Sequence, residues 1–154
     1  MTDLIEVRAS NLVGEALGWA VGKAEGLDLQ LAPPGYNGVP WRVFARYQGQ
    51  AIEHTKRYNP WEDWALAGPL IEKYKVSLSP PTSAVHRNFG HMDQRNGYYE
   101  AGVWSSTIFG KERKHRRTVF HHPENPLIVA MQAIAQFELG DTVQVPKELV
   151  QCET

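Results

Sequence analysis

The sequence predicts an α+β fold: a single small domain over 1–154 in which mostly antiparallel sheet packs with two main helices, about 10–25 and 126–139, and a short helix near 60–67. Three observations carry that prediction. Two segments repeat apolar residues at spacings of three and four between start and stop signals. Short runs alternate apolar and polar residues between Pro- and Gly-rich turns. Neither a repeat nor an interior linker divides the chain. Its 154 residues are the usual size of one domain, enough to bury roughly 70% of the surface the unfolded chain exposes.

Ser10 or Asn11 is placed to cap the first helix, whose apolar positions Leu12, Val13, Ala16, Leu17, Ala20, Val21 and Ala24 form a stripe ending at Gly26. Its interior glycines Gly14, Gly18 and Gly22 cost about 1 kcal/mol each relative to alanine. At every fourth position they clear one face for close approach of another element. Leu27, Leu29 and Leu31 alternate with Asp28 and Gln30 as a half-buried strand, and Pro33 to Gly38 turns the chain. In the next strand, Trp41 to Tyr47, the odd positions are apolar, while Arg42 and Arg46 flank Phe44 on the opposite face. Gly49 permits a turn into Ala51-Ile52.

Asn59 as N-cap, Pro60 at the first helical position, and Glu62 and Asp63 in the first turn predict a short helix holding Trp61, Trp64, Ala65 and Leu66 up to Gly68-Pro69. A strand at Val76-Ser77-Leu78 ends at Pro80-Pro81. Strands near Ala84–Phe89 and Tyr98–Phe109, with a polar loop 90–97 between them, suggest a long hairpin with a basic insert at about 109–118. Asn125 then caps, Pro126 opens, and Leu127, Ile128, Met131, Ile134, Ala135 and Leu139 line a helix that stops at Gly140. Val143 and Val145 suggest a last short strand.

Composition excludes several classes. With 42% hydrophobic and 21% charged residues the chain is no disordered tail, collagen-like fibre or coiled coil. Sixteen basic against seventeen acidic residues leave a net charge of −1, so the molecule as a whole is not built to coat DNA or an acidic membrane. Cys152 is the one cysteine; no intramolecular disulfide and no Cys-based zinc site follows from it, which suits a reducing cytoplasm. Met1 to Glu6 has no basic n-region, and no stretch of about 18 consecutive apolar residues occurs, so neither secretion nor membrane spanning is expected.

Three blocks together resemble the small NinX family of lambda-like phages. The first is Leu4-Ile5-Glu6-Val7 with Leu12-Val13-Gly14-Glu15-Ala16-Leu17-Gly18-Trp19-Ala20-Val21 and Ala24-Glu25-Gly26. The second is Tyr58-Asn59-Pro60-Trp61-Glu62-Asp63-Trp64 with Gly68-Pro69-Leu70-Ile71-Glu72. The third runs from Asn125-Pro126-Leu127-Ile128 through Ala130-Met131 to Leu139-Gly140-Asp141 and Val143-Gln144-Val145-Pro146. Between Ser83 and His122 the chain departs from that pattern, being longer and more basic. The resemblance implies a phage origin and action inside an infected bacterium, and it implies no reaction. Small phage proteins of this kind inhibit a host enzyme, bind a nucleic acid or sequester a nucleotide messenger of bacterial immunity.

Among chemistry-bearing residues, His54, His86, His91, His115, His121 and His122 form no HExxH or other compact ligand pattern, and His121-His122 read as a solvated turn. No GxSxG elbow surrounds Ser105, Ser106 and Thr107. No metal, no cofactor and no catalytic residue is assigned, and enzyme activity is the less favoured reading. The run Lys111 to Arg117 carries five permanent positive charges against one negative. Arg and Lys are natural partners of phosphate, although such runs also simply face water. Bases stack on Trp and Tyr faces, so the candidate ligand-binding set is Tyr58, Asn59, Trp61, Trp104, Arg113, Lys114, Arg116 and Arg117. Trp19, Trp41 and Trp64 are expected inside, and Tyr58 and Trp61 at the surface.

The leading reading is a non-enzymatic phage accessory protein in the host cytoplasm that binds and sequesters a small phosphorylated, nucleotide-like ligand as a homo-oligomer, the glycine-lined first helix suggesting a close interface. The alternative is a protein that binds a host protein or nucleic acid through 111–117. A nucleotide hydrolase comes third.

Overall fold

A computed structural model describes residues 3–35, 38–48, 53–79, 104–108, 118–122 and 125–151. In chain order these form β1 (Leu4–Arg8), a 3₁₀ turn (Ala9–Asn11), α1 (Gly14–Ala24), β2 (Asp28–Ala32), β3 (Arg42–Gln48), β4 (Glu53–Arg57) and α2 (Trp64–Tyr74). Then come β5 (Ser77–Ser79), β6 (Trp104–Ile108), β7 (Thr118–His122), α3 (Pro126–Leu139), β8 (Thr142–Pro146) and α4 (Lys147–Gln151). The class is α+β, as the sequence predicts. Among the described residues the strands make three separate antiparallel sheets, β1-β8, β2-β3-β4 and β5-β6-β7.

The helix α3 holds these pieces together. It contacts α1, α2, β6, β7, β8 and the 3₁₀ turn, and Leu127 together with the unbroken run Val129 to Ala135 is buried. The sequence shows an apolar stripe there; the structure buries the middle of the helix on all sides, Gln132 included. That amide is satisfied in part by donating to the Leu12 carbonyl at 2.9 Å and to Ser10 at 3.3 Å. On the facing sheet, the buried Ser106 hydroxyl donates to the Val129 carbonyl at 2.6 Å. Both ends of α3 follow the sequence signals. The Asn125 side chain accepts from Leu127 N at 2.8 Å, and Gly140 at φ 94° stops the helix.

The other helices correct their predicted bounds. α1 starts at Gly14, not at Ser10 or Asn11: those two residues close a 3₁₀ turn, after which Leu12 and Val13 run extended. It ends as predicted, with Gly26 at φ 70°, Leu27 N donating to the Gly22 carbonyl and Gly26 N to Lys23, the paired bonds of a glycine-terminated helix. Pro60, Trp61 and Glu62 form a single turn, closed by the Asn59 carbonyl accepting from Glu62 N and Asp63 N, that does not continue into the helix because Asp63 is extended at φ −115°, ψ 108°. Asp63 is the cap of α2, its carboxylate accepting from Ala65 N at 2.8 Å. Pro69 does not stop α2. A proline removes one helical N–H and strains the preceding turn, yet the helix runs on to Tyr74 and buries Leu70 beyond it.

Some strands were not signalled. β1, β4 and α4 lie outside the predicted elements, and His121-His122 belong to β7 instead of a turn. The predicted strand 84–89, the loop 90–97 and the hairpin insert except Thr118 lie outside the described residues.

Candidate functional site

The sheet β2-β3-β4 has two unlike faces. Val43 and Ala45 on β3 are fully buried beneath α1, with Leu29, Leu31 and Tyr47 packed at their margin. Alternation puts Arg42, Phe44 and Arg46 on the opposite face, and Phe44 is half-buried there while lying outside the apolar core cluster. Register sets its neighbours. Gln30 lies opposite Phe44 on β2 and Arg57 opposite it on β4, Asp28 and Thr55 lie opposite Arg46, and Ala32 lies opposite Arg42.

The three arginines on this face differ in what holds them. Arg46 Nε stands 3.7 Å from the Asp28 carboxylate, and the Gln30 amide, assigned with its oxygen toward the same guanidinium because the reverse orientation faces donor to donor, accepts from Nε at 3.1 Å and from Nη2. Arg57 donates through Nη2 to Glu15 at 2.7 Å and stands 3.4 Å from Glu62. The other Glu15 oxygen accepts from Val43 N at 2.8 Å, just where β4 leaves the sheet. Among the described residues the Arg42 side chain has no hydrogen bond or ion pair, and its Nε is buried. Arg57 Nε is buried without a partner as well; what distinguishes Arg42 is that no described carboxylate offsets its charge, and an uncompensated guanidinium favours an anion.

The aromatic residues singled out in the sequence are placed differently from expectation. Tyr58 is 3% exposed and Trp61 8% exposed, so both belong to the core and not to the surface. The reason is Gly18. A Cβ there would stand 2.5 Å from the Trp61 ring and 2.9 Å from the Tyr58 carbonyl, so the missing side chain of α1 is the seat of Trp61. Trp64, expected inside, is 58% exposed at the first position of α2. Trp19 and Trp41 pack half-buried against the core as expected, and Trp104 does the same on β6. Asn59 spends its side-chain amide on Glu62 at 2.8 Å. Arg113, Lys114, Arg116 and Arg117 lie outside the described residues.

The structure therefore joins Tyr58, Asn59 and Trp61 through adjacency in the chain, and gives them a structural setting. The functional candidates that sequence reasoning left out are Arg42, Phe44 and Arg46. Their signal was present in the alternation of β3, where two arginines flank an aromatic ring on the face away from the core. What decides among the three arginines, the ion pairs of Arg46 and Arg57, comes from residues distant in sequence.

Elsewhere, Glu25 accepts from the Tyr74 hydroxyl at 2.6 Å and from Lys73 Nζ at 2.8 Å. Burial, then the bond to Glu25, pushes the Tyr74 phenol above its ordinary range, and burial does the same to Tyr58 with smaller help from Tyr47 and Glu25. A concavity of about 420 Å³ is lined by Arg8, Ser10, Gln136, Asp141 and Thr142; none of these is aromatic. Among the described residues no three His, Cys, Asp or Glu side chains converge as metal ligands, and no helix is long and apolar enough to cross a membrane.

A family model described as "Bacteriophage P22, NinX" matches residues 8–136. The chain belongs to the NinX family. The matched span includes all three strands of the β2-β3-β4 sheet, α1 with its glycine seat, and the turn that carries Tyr58 and Trp61, so the candidate face is part of the NinX domain itself. No curated protein matches this NinX chain.

Proposed function

We propose that the chain binds a small phosphorylated, nucleotide-like ligand and withholds it, acting in the cytoplasm of the infected host as a sequestering protein and not as an enzyme. The observation that carries this reading is the outer face of β2-β3-β4, where an aromatic ring stands between arginines and one guanidinium, that of Arg42, has no partner among the described residues. A planar ring offers stacking to any base, and the guanidinium fork matches two phosphate oxygens. Tyr58 and Trp61 enter this reading only as the core that supports Arg57, whose guanidinium carbon lies 6.0 Å from the Trp61 ring centre.

Sequestration by a homo-oligomer is part of the proposal. The glycine face of α1 is not available for that contact, since Trp61 occupies Gly18 and Leu29 occupies Gly22 within the same chain.

Native mass spectrometry of protein purified from bacteria with active immune signalling tests the reading. A bound mass that denaturation releases as intact nucleotide supports it. Release of a cleaved product makes the protein a hydrolase. An unliganded mass, together with no heat on titration with nucleoside phosphates, overturns it.

A further inference from the structure

We propose that the outer face of β2-β3-β4 takes a single nucleotide unit, one ring on Phe44 and one phosphate on Arg42, and gains nothing from further phosphates. This rests on the nucleotide-binding reading above and narrows its ligand class. Charge separates the three arginines. Of the three arginines around Phe44, Arg46 is neutralised by Asp28 and held by Gln30, and Arg57 is divided between Glu15 and Glu62. Each would have to give up an ion pair to serve a phosphate. Among the described residues Arg42 has no carboxylate to give up; it shares with Arg57 a buried Nε without an acceptor, so the absence of an ion pair is what sets it apart.

Geometry agrees with that count. Arg42 and Phe44 are two residues apart on one strand, so their Cα atoms stand about 6.6 Å apart on the same face. That is the scale of the step from a base to its own phosphate, not to a phosphate two positions further out. Opposite Arg42 on β2 stands Ala32, whose short side chain carries no charge to compete for the guanidinium. Gln30, opposite Phe44, flanks the ring with an amide already engaged by Arg46. One phosphate, held by a fork of two N–H groups, satisfies the one of these three arginines that has no ion pair among the described residues.

A nucleotide unit can come from a free mononucleotide or from a nucleic-acid strand, and the test separates them. Isothermal titration of the full chain is carried out with the four nucleoside monophosphates, the matching nucleosides and triphosphates, inorganic phosphate and a short single strand of DNA. The expected result is at least one monophosphate bound roughly tenfold or more tighter than its nucleoside and than phosphate, with the triphosphate no tighter. Arg42→Gln and Phe44→Leu should each weaken that binding about tenfold, and Arg46→Gln by less than about threefold, with melting temperatures verifying that the variants fold. A triphosphate bound tenfold tighter than its monophosphate, or full affinity in Arg42→Gln, overturns the single-phosphate site and leaves the nucleotide-binding reading standing. Binding of the strand alone, falling steeply with salt, assigns the face to nucleic acid and overturns both. No binding of any nucleotide also overturns both.

Discussion

Glu15 shows how much one side chain can organise. One oxygen closes the Val43 N–H that β4 leaves open, and the other fixes Arg57 against Trp61. Nothing in the local sequence signals this, because the partners lie 28 and 42 residues away. Trp61 departs from its surface expectation for the same reason: its neighbours in sequence are polar, while its seat is a glycine on α1, 43 positions earlier. Two substitutions measure that seat. Trp61→Ala should cost about 3 to 5 kcal/mol in denaturant unfolding, as for other buried tryptophans. Gly18→Ala should cost about 1 to 3 kcal/mol by overpacking the same contact, although alanine is the better helix former. The tyrosines give a pH dependence. Tyr58 and Tyr74 keep their protons in the folded chain well past the point, near 10, at which they ionise when unfolded. Their contribution to stability is therefore complete below about pH 10 and declines as pH rises above it. Thermal melts between neutral pH and pH 11 should show a flat region and then a fall, and Tyr74→Phe should make that fall shallower.

At the scale of elements, the caps decide what was legible. α3 was readable from Asn125 to Gly140 because its cap, its opening proline and its terminating glycine are all local. α2 was displaced by four residues because Asn59 and Asp63 are both competent caps, and the choice between them is made by the Asn59 carbonyl closing a turn on Glu62 and Asp63. β1, β4 and α4 gave weaker signals still. β4 reads Glu-His-Thr-Lys-Arg, with no apolar alternation to reveal it, and exists as a strand because β3 supplies its hydrogen bonds. The outer face of that sheet was half legible: the Arg-Phe-Arg pattern is in the sequence, and the pairing that leaves Arg42 alone is not. Cap variants check the assignment. Asp63→Ala should lower stability by about 1 kcal/mol, and Asn59→Ala by less, since its side chain bonds only the exposed Glu62. Asn125→Ala should cost more than Asp63→Ala, because its amide also donates to the Trp61 carbonyl at 3.1 Å. Denaturant midpoints of the three variants give the order.

For the molecule as a whole, α3 is the hub, and amide exchange should find it. The backbone from Val129 to Ala135 is enclosed by contacts with two helices, the 3₁₀ turn and three strands, so its amides should exchange only through global unfolding, more slowly than those of β2 or of α2 beyond Pro69. A faster rate in α3 than in α1 would refute this arrangement. The pairing of β1 with β8 bears on the history of each molecule as well as its stability. Glu6 meets Gln144, 138 positions later, and β1 has no other partner among the described residues. At the usual pace of about 5 to 20 residues per second, the ribosome needs roughly 7 to 30 s to deliver the strand that β1 waits for. During that interval Ile5 and Val7 have no sheet to join. Chains arrested before Thr142 should therefore be cut by protease within Leu4–Arg8, and those released beyond Pro146 should resist, so that this first strand is among the last pieces of the fold to be secured.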